Sequence, residues 1–392
     1  MKYSKDTMLS LDEIGLLPCG NPSQIDTRTK INPFITDEYD DKLPKNHCDH
    51  AEEQKIGRLP VFVSPMTSVI DEHNIWMFEC AGFIPVLPRK ISFDERLKYA
   101  EEYWVSFSLQ EFLRICDEDL AKGKDHLYIL VDIANGHIAK LYDYAKRLKE
   151  KYPNVILMVG NIAHPDIYRH CCRAHIDYVR VGIGGGSVCS TSVQCGVHAS
   201  LVWMIEEINN LKKREHFEFE TKVIADGGIN TLDRAIKCLA LGYDYVMMGK
   251  LFAITNAACG EVRTHIKTHN DEDIYINYNI MEYEKPEEED PKRDFKPNVY
   301  GDFKNATLER KYYGMASEQG QIDISGGACK NPEGIETWVP IEWTLSEFRA
   351  KFEAALRSTM SYVDATSLIE FIKSGDTQYA PMSKSEFNAY YK

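Results

Sequence analysis

Eight short apolar runs, each followed by an amphipathic stretch or a turn, constrain this chain more than any other feature: 61–64, 83–87, 104–107, 127–133, 155–160, 178–183, 222–226 and 244–249. The runs are continuously apolar instead of alternating, as strands covered on both faces must be. Between them lie helical spacings such as Ile138, Leu141, Tyr142, Ala145, Leu148, and Leu232, Ala235, Ile236, Leu239, the second closed by Gly242. Eight successive βα units predict an α/β chain folded as one (β/α)8 TIM barrel over 61–374, with a doubly wound open sheet as the alternative. Pro18, Gly20, Pro22, Pro33 and Pro44 punctuate residues 1–60, which read as an irregular N-terminal segment packed on that barrel. An acidic stretch, 271–304, reads as a solvated excursion before the last helix, 318–338 as a Gly-rich loop serving as a lid or as plain surface, and 375–392 as a tail.

The charge balance narrows the partners. Lys+Arg 46 against Asp+Glu 60 gives −14, which argues against binding a phosphate backbone or an acidic membrane. No apolar core marks residues 1–10 as a leader, and no run approaches the roughly 18 apolar residues of a span, so the expected location is the cytoplasm. Eleven cysteines, without a repeated C-x-x-C pair, fit reduced thiols better than a disulfide framework or a zinc ribbon. His47, Cys48, Asp49 and His50 lack a second ligand pair elsewhere.

In such a barrel chemistry sits at the C-terminal ends of the strands, where Ser64, Asp132, Asn161, Cys189, Asp226 and Gly249 fall. The run 181–191, VGIGGGSVCST, ends a strand in four glycines within five residues and delivers Cys189 beyond them. Glycine N–H groups can form a concave anion site that lowers a nearby thiol's pKa, so Cys189 is a candidate nucleophile. A flexible turn beside a structural cysteine is the other reading. Gly227 and Gly228 after the seventh strand, and Gly249 with Lys250 after the eighth, offer backbone donors to a phosphate, while Asp226 suits two ribose hydroxyls. That pairing implies a nucleoside monophosphate; capped βα turns are the plainer account.

Taken together, VGIGGGSVCST, IADGGI, LGYDYVMMGKLFA, YYGMAS, NPEGIETWVP and RSTMSY, in this order, resemble the inosine monophosphate dehydrogenase and guanosine monophosphate reductase family from about residue 11 to 372, the acidic excursion excluded. The resemblance implies that Cys189 attacks C2 of the purine and that Thr191 and Glu333 transfer the proton. It implies a purine nucleotide site of Ser187, Asp226, Gly227, Gly228, Gly249, Lys250, Tyr313, Gly314, Met315, Ser317 and Gly334. Asp132, Ile133, Asn161 and Gly182, with Ser358 and Thr359 at the adenosine end, would hold NADPH. Carbonyls of Gly184, Gly186 and Cys189 would hold a monovalent cation, K+, and the family assembly would be a homotetramer.

Of the two reactions, the resemblance favours the reductase: GMP to IMP and ammonia through a thioimidate on Cys189. Between Ser317 and Pro332 there is no arginine for the dehydrogenase's Arg-Tyr pair, and no roughly 120-residue regulatory module separates the second and third strands. A dehydrogenase without that module, converting IMP and NAD to XMP, and a non-catalytic purine-nucleotide-binding relative are the alternatives. Three departures stand out: Thr67 where the family carries Asp, Lys250 in place of a small residue, and Ser192 in place of an arginine.

Overall fold

The chain enters through β1 (Ile14–Leu16), and the eight apolar runs then become β2 (Val61–Val63), β3 (Val86–Leu87), β4 (Trp104–Phe107), β5 (Leu127–Asp132), β6 (Val155–Ile162), β7 (Tyr178–Val181), β8 (Lys222–Asp226) and β9 (Tyr245–Met248). The structure is a computed structural model and describes residues 9–47, 56–186, 194–267, 273–278, 306–325, 332, 334–373 and 377–382. The sheet runs β2-β9-β8-β7-β6-β5-β4-β3 with every adjacent pair parallel. A parallel bridge between Phe62 and Ile84 closes it, the Val63 amide donating to the Ile84 carbonyl and the Ile84 amide to that of Val61, both at 2.9 Å. The TIM barrel expected from the sequence is therefore the architecture.

The helices between the strands are α1 (Ile75–Cys80), α2 (Phe93–Tyr99), α3 (Leu109–Asp117), α4 (Ala139–Lys151), α5 (Pro165–Arg173), α6 (Leu201–Arg214), α7 (Leu232–Ala240) and the one-turn α8 (Lys250–Ala253). Ser92 and Ser108 begin α2 and α3 with capping boxes closed by Glu95 and Glu111, which satisfy amides that the first turn leaves unpaired.

After α8 the chain builds an antiparallel sheet in the order β11-β10-β12-β13, from β10 (Val262–Lys267), β11 (Asp273–Tyr278), β12 (Ala306–Tyr313) and β13 (Glu336–Pro340). The part of the acidic excursion that is described, β11, is a paired strand, and its residues 273–276 are exposed, as a solvated excursion would have them. Its register places Ile274 and Ile276 opposite Ile266 and Thr264. The Gly-rich stretch read as a loop contains α9 (Glu318–Ser325), which starts where the buried Ser317 hydroxyl accepts the Gly320 amide at 3.1 Å. A Ser cap offsets the helix cost of Gly320. The chain ends in α10 (Leu345–Tyr362), α11 (Leu368–Lys373) and β14 (Tyr379–Pro381), the last pairing antiparallel with β1.

Inside the barrel, Phe62, Trp104, Tyr178 and Tyr245 from four strands pack edge to face with centroids 5.1 to 6.2 Å apart, all fully buried. Below them the N-terminal segment closes the floor. Asp40 accepts hydrogen bonds from Tyr178 at 2.7 Å and Tyr245 at 2.5 Å and pairs with Lys222 at 3.1 Å, while the Tyr39 hydroxyl donates to the Asp244 carbonyl. This arrangement leaves the opposite, C-terminal end for chemistry.

Cys80, at the end of α1, is disulfide-bonded, which departs from the expectation of reduced thiols. Among the described residues no helix is long and apolar enough to cross a membrane.

Candidate active site at the barrel mouth

Strand geometry lifts a charge into the mouth. Successive side chains alternate across a strand, so Arg180 lies on the same inward face as the core residue Tyr178, two residues nearer the C-terminal end. Its register partner is Gly160 on β6, and the partner of Gly160 on β5 is Asp132, so the three residues stand level across three strands. With no side chain at Gly160, the guanidinium passes over β6, and Nη1 reaches Asp132 Oδ1 at 2.7 Å. A Cβ at Gly160 would lie 2.5 Å from that of Arg180 and 2.9 Å from its carbonyl oxygen. Only glycine admits this crossing.

On its other side Arg180 donates to Asp226 Oδ2 through Nε at 3.1 Å and Nη2 at 2.7 Å. Asn161 Nδ2 donates to the same oxygen at 2.7 Å and to the Gly182 carbonyl at 2.8 Å. Arg89 adds a second cation 3.9 Å from Asp132. Burial pushes the Asp132 carboxyl upward, but the Arg180 and Arg89 charges more than offset it and hold the group below the ordinary carboxylate range. Burial likewise opposes the Arg180 charge, and Asp226 and Asp132 override it and keep the guanidinium above its usual value. The result is a preset row of acceptors and donors in a mostly buried rim, able to fix hydroxyl and amide groups of a ligand without reorganising.

Their places at strand ends put Asp132, Asn161 and Asp226 on one rim, and the structure joins them there through an arginine that sequence reasoning missed. A signal was present: a lone charge inside a strand buried on both faces must be paired. Ile133 is held to β6 by two backbone bonds, to the Gly160 carbonyl at 2.9 Å and from the Asn161 amide at 2.8 Å.

Gly182, with φ 133°, serves close approach: a Cβ there would sit 2.0 Å from the Asp226 carbonyl oxygen. Beyond it the turn holding Gly184 and Gly186 packs against Gly227 and Gly228, which brings the start of the cysteine loop onto the loop after β8. Cys189, Thr191, Ser187 and Glu333 lie outside the described residues. Their described chain neighbours nevertheless meet: Gln194 Nε2 donates to the Pro332 carbonyl at 3.1 Å.

Gly249 is buried beside Met66, Ser64 and Tyr312, and Lys250 lines a groove with Asn230, Thr231, Tyr312 and Trp338. The Tyr313 hydroxyl donates to Asp323 Oδ2 at 2.7 Å, and Met315 Sδ accepts the Thr67 amide at 3.5 Å. Ser317 caps α9, Gly314 lies directly against Gly320, and Gly334 immediately precedes the stretch into β13. Ser358 and Thr359 are on α10, in a second groove with Leu16, Pro18 and Ile236, on the outer side of α7. The mouth thus gathers the ribose and nicotinamide candidates, while the adenosine candidates stand apart from it.

A family model described as "IMP dehydrogenase / GMP reductase domain" matches residues 117–273, which include β5 to β9 and the mouth residues they carry. A GMP reductase of Shewanella pealeana is 28% identical over 284 residues, spanning 72% of this chain and 69% of that protein. A GMP reductase of Helicobacter pylori strain G27 is 26% identical over 342 residues, 84% of this chain and 88% of its own. An inosine-5'-monophosphate dehydrogenase of Chlorobaculum parvum is 31% identical over 245 residues, 62% of this chain but 43% of that protein.

Proposed function

The chain carries a domain of the IMP dehydrogenase / GMP reductase family, and from that premise we propose that it is a GMP reductase, an NADPH-dependent enzyme converting GMP to IMP and ammonia. The observation that carries this reading is the mouth itself: Asp226, Asn161 and Arg180 form one hydrogen-bonded set at the point where the cysteine loop leaves β7. The GMP reductases among its relatives support the direction, because the alignment runs along 88% of one of them.

In the proposed reaction, Asp226 accepts from the ribose, with Gly227, Gly228 and Gly249 amides and the Lys250 ammonium toward the phosphate. The Cys189 thiolate attacks C2, and Thr191 and Glu333 deliver a proton to the amino group so that it leaves as ammonia. A thioimidate remains on Cys189. Contact between Gln194 and Pro332 supports bringing Glu333 toward the cysteine loop. Asp132, whose side chain keeps 15% of its surface open beside Asn161, fits a nicotinamide ribose as acceptor, with Ile133 and Gly182 contributing backbone. When bound, the nicotinamide supplies the hydride that reduces C2. The C2–S bond then breaks, and the Cys189 thiolate leaves as IMP is released. Carbonyls of Gly184, Gly186 and Cys189 would hold K+, which orders the loop and takes part in no bond change.

The test is direct. Purified protein with GMP and NADPH should consume nicotinamide absorbance and release ammonia, and Cys189→Ala should stop both. A flat trace from the wild type would overturn the proposal. The dehydrogenase alternative, favoured by the 31% identity to the Chlorobaculum protein, instead produces NADH from IMP and NAD. A non-catalytic nucleotide binder would bind GMP yet show no adduct on Cys189 in acid-quenched mass spectra.

A further inference from the structure

One carboxylate outside the mouth network joins three elements. Asp323, in the second turn of α9, accepts from the Thr67 hydroxyl at 2.6 Å and the Tyr313 hydroxyl at 2.7 Å, both on Oδ2, and from Gln319 Nε2 on Oδ1 at 2.8 Å. Thr67 belongs to the loop that follows β2 at the mouth, Tyr313 ends β12, and Gln319 lies one turn back on α9. Thr67 is 4% exposed and Tyr313 8%, so these bonds form largely out of water. The neighbouring Thr67 amide also donates to Met315 Sδ, so the same short loop grips the turn between β12 and α9 at two points.

A hydroxyl has a single proton, and both hydroxyls spend theirs on Asp323. Burial pushes this carboxyl up, but the Thr67, Tyr313 and Gln319 donors hold it below the ordinary range, so it is the ionised form that is gripped. Apolar packing of α9 is slight: its sequence, EQGQIDIS, carries two isoleucines and a glycine, and one of those isoleucines, Ile322, is 40% exposed, while Glu336 on β13 accepts the Gln319 amide at 3.0 Å. A weakly apolar helix of eight residues is not stable by propensity alone.

We propose that Asp323 is a positioning residue, a clamp that holds the lid helix on the barrel mouth and thereby sets Tyr313 and Met315 for the nucleotide. The clamp rests on geometry alone; its effect on GMP rests on the function proposed above. Bonds to an ionised group are stronger than neutral ones, and losing two of them corresponds to tenfold or more in the lid's closed-to-open ratio.

The experiment uses the full chain. Amide hydrogen exchange across α9 in nucleotide-free protein reports lid opening, while exchange in the interior of α4, around the buried Leu148, reports global unfolding. Asp323→Asn should speed exchange in α9 about tenfold with α4 unchanged; Thr67→Ala should do the same more weakly, Thr67→Ser should restore the wild-type rate, and Thr67→Ala should add nothing to Asp323→Asn. Unchanged exchange in α9, a parallel rise in α4, or additive effects would each overturn the clamp. With GMP and NADPH, Asp323→Asn should raise KM about tenfold while kcat moves less than about threefold; a selective fall in kcat at constant KM would overturn the positioning role. A wild type that turns over no GMP sinks the functional reading and leaves the exchange result standing.

Discussion

Replacing Arg180 with Gln isolates what the mouth network contributes. Arg180 makes one bond to Asp132 and two to Asp226, and its side chain is 9% exposed. Gln is uncharged and too short to span both carboxylates, so Asp132 is left with Arg89 at 3.9 Å as its remaining cation. Removing one member of a buried ion cluster costs about 3–5 kcal/mol, mostly as the penalty for the charge left behind. The pH dependence has a definite sign. In the wild type the Asp132 carboxyl is held below its unfolded value of roughly 3.9, so the pair stabilises the fold above that value and this contribution disappears as pH falls through the folded one. In Arg180→Gln burial is no longer outweighed, the folded value moves above the unfolded one, and the ionised group destabilises the fold at neutral pH. Protonation on acidification then relieves the penalty. Urea titrations followed by tryptophan fluorescence should therefore show the largest loss near pH 7 and a smaller one near pH 5. A loss under about 1 kcal/mol, well below the range for a broken buried pair, or one that is equal at both pH values, would refute the argument.

Other outcomes follow from single contacts. Gly160→Ala forces a Cβ to 2.5 Å from that of Arg180 and should cost about 1–3 kcal/mol as overpacking, visible in the same titration, with GMP affinity falling as Asp226 moves. Asp40→Asn keeps one acceptor on the floor but weakens three bonds; it should cost about 1–3 kcal/mol while leaving KM for GMP unchanged, because the floor is at the far end from the mouth. Ser317→Ala removes the cap of α9, worth about 1 kcal/mol, and should speed amide hydrogen exchange in α9 several-fold. Cys189→Ala should abolish NADPH consumption with GMP.

Much of the barrel was legible because its strands are short, apolar and separated by amphipathic stretches. Trp104–Phe107 and Lys222–Asp226 fall where the residues put them, and the other six runs fray by one to three residues at their ends, where chain direction and not hydrophobicity decides pairing. The rim was legible for Asp132, Asn161 and Asp226 because each lies within one residue of the C-terminal end of a strand. Arg180 was not, since its role depends on register with Gly160 and Asp132, and register is a property of neighbouring strands that no single run displays. The helix inside the lid was not legible for a related reason: α9 is short and weakly apolar, and its order comes from the local Ser317 cap together with Asp323 reaching Thr67, distant in sequence. Strand β11 was hidden by the acidic composition that follows it, although the alternation in DIYINY carries a strand pattern.

The floor has a consequence for synthesis. Asp40 finds its partners on Tyr178, Lys222 and Tyr245, the farthest of them 205 residues later. At a translation rate of about 5–20 residues per second, the opening segment waits on the order of 10 to 40 seconds before its anchors leave the ribosome. The first stretch made is thus among the last to dock completely, and a nascent chain arrested before Tyr178 carries a leading end whose Asp40 has met none of these partners, exposed to proteases and chaperones until the ring above it has closed.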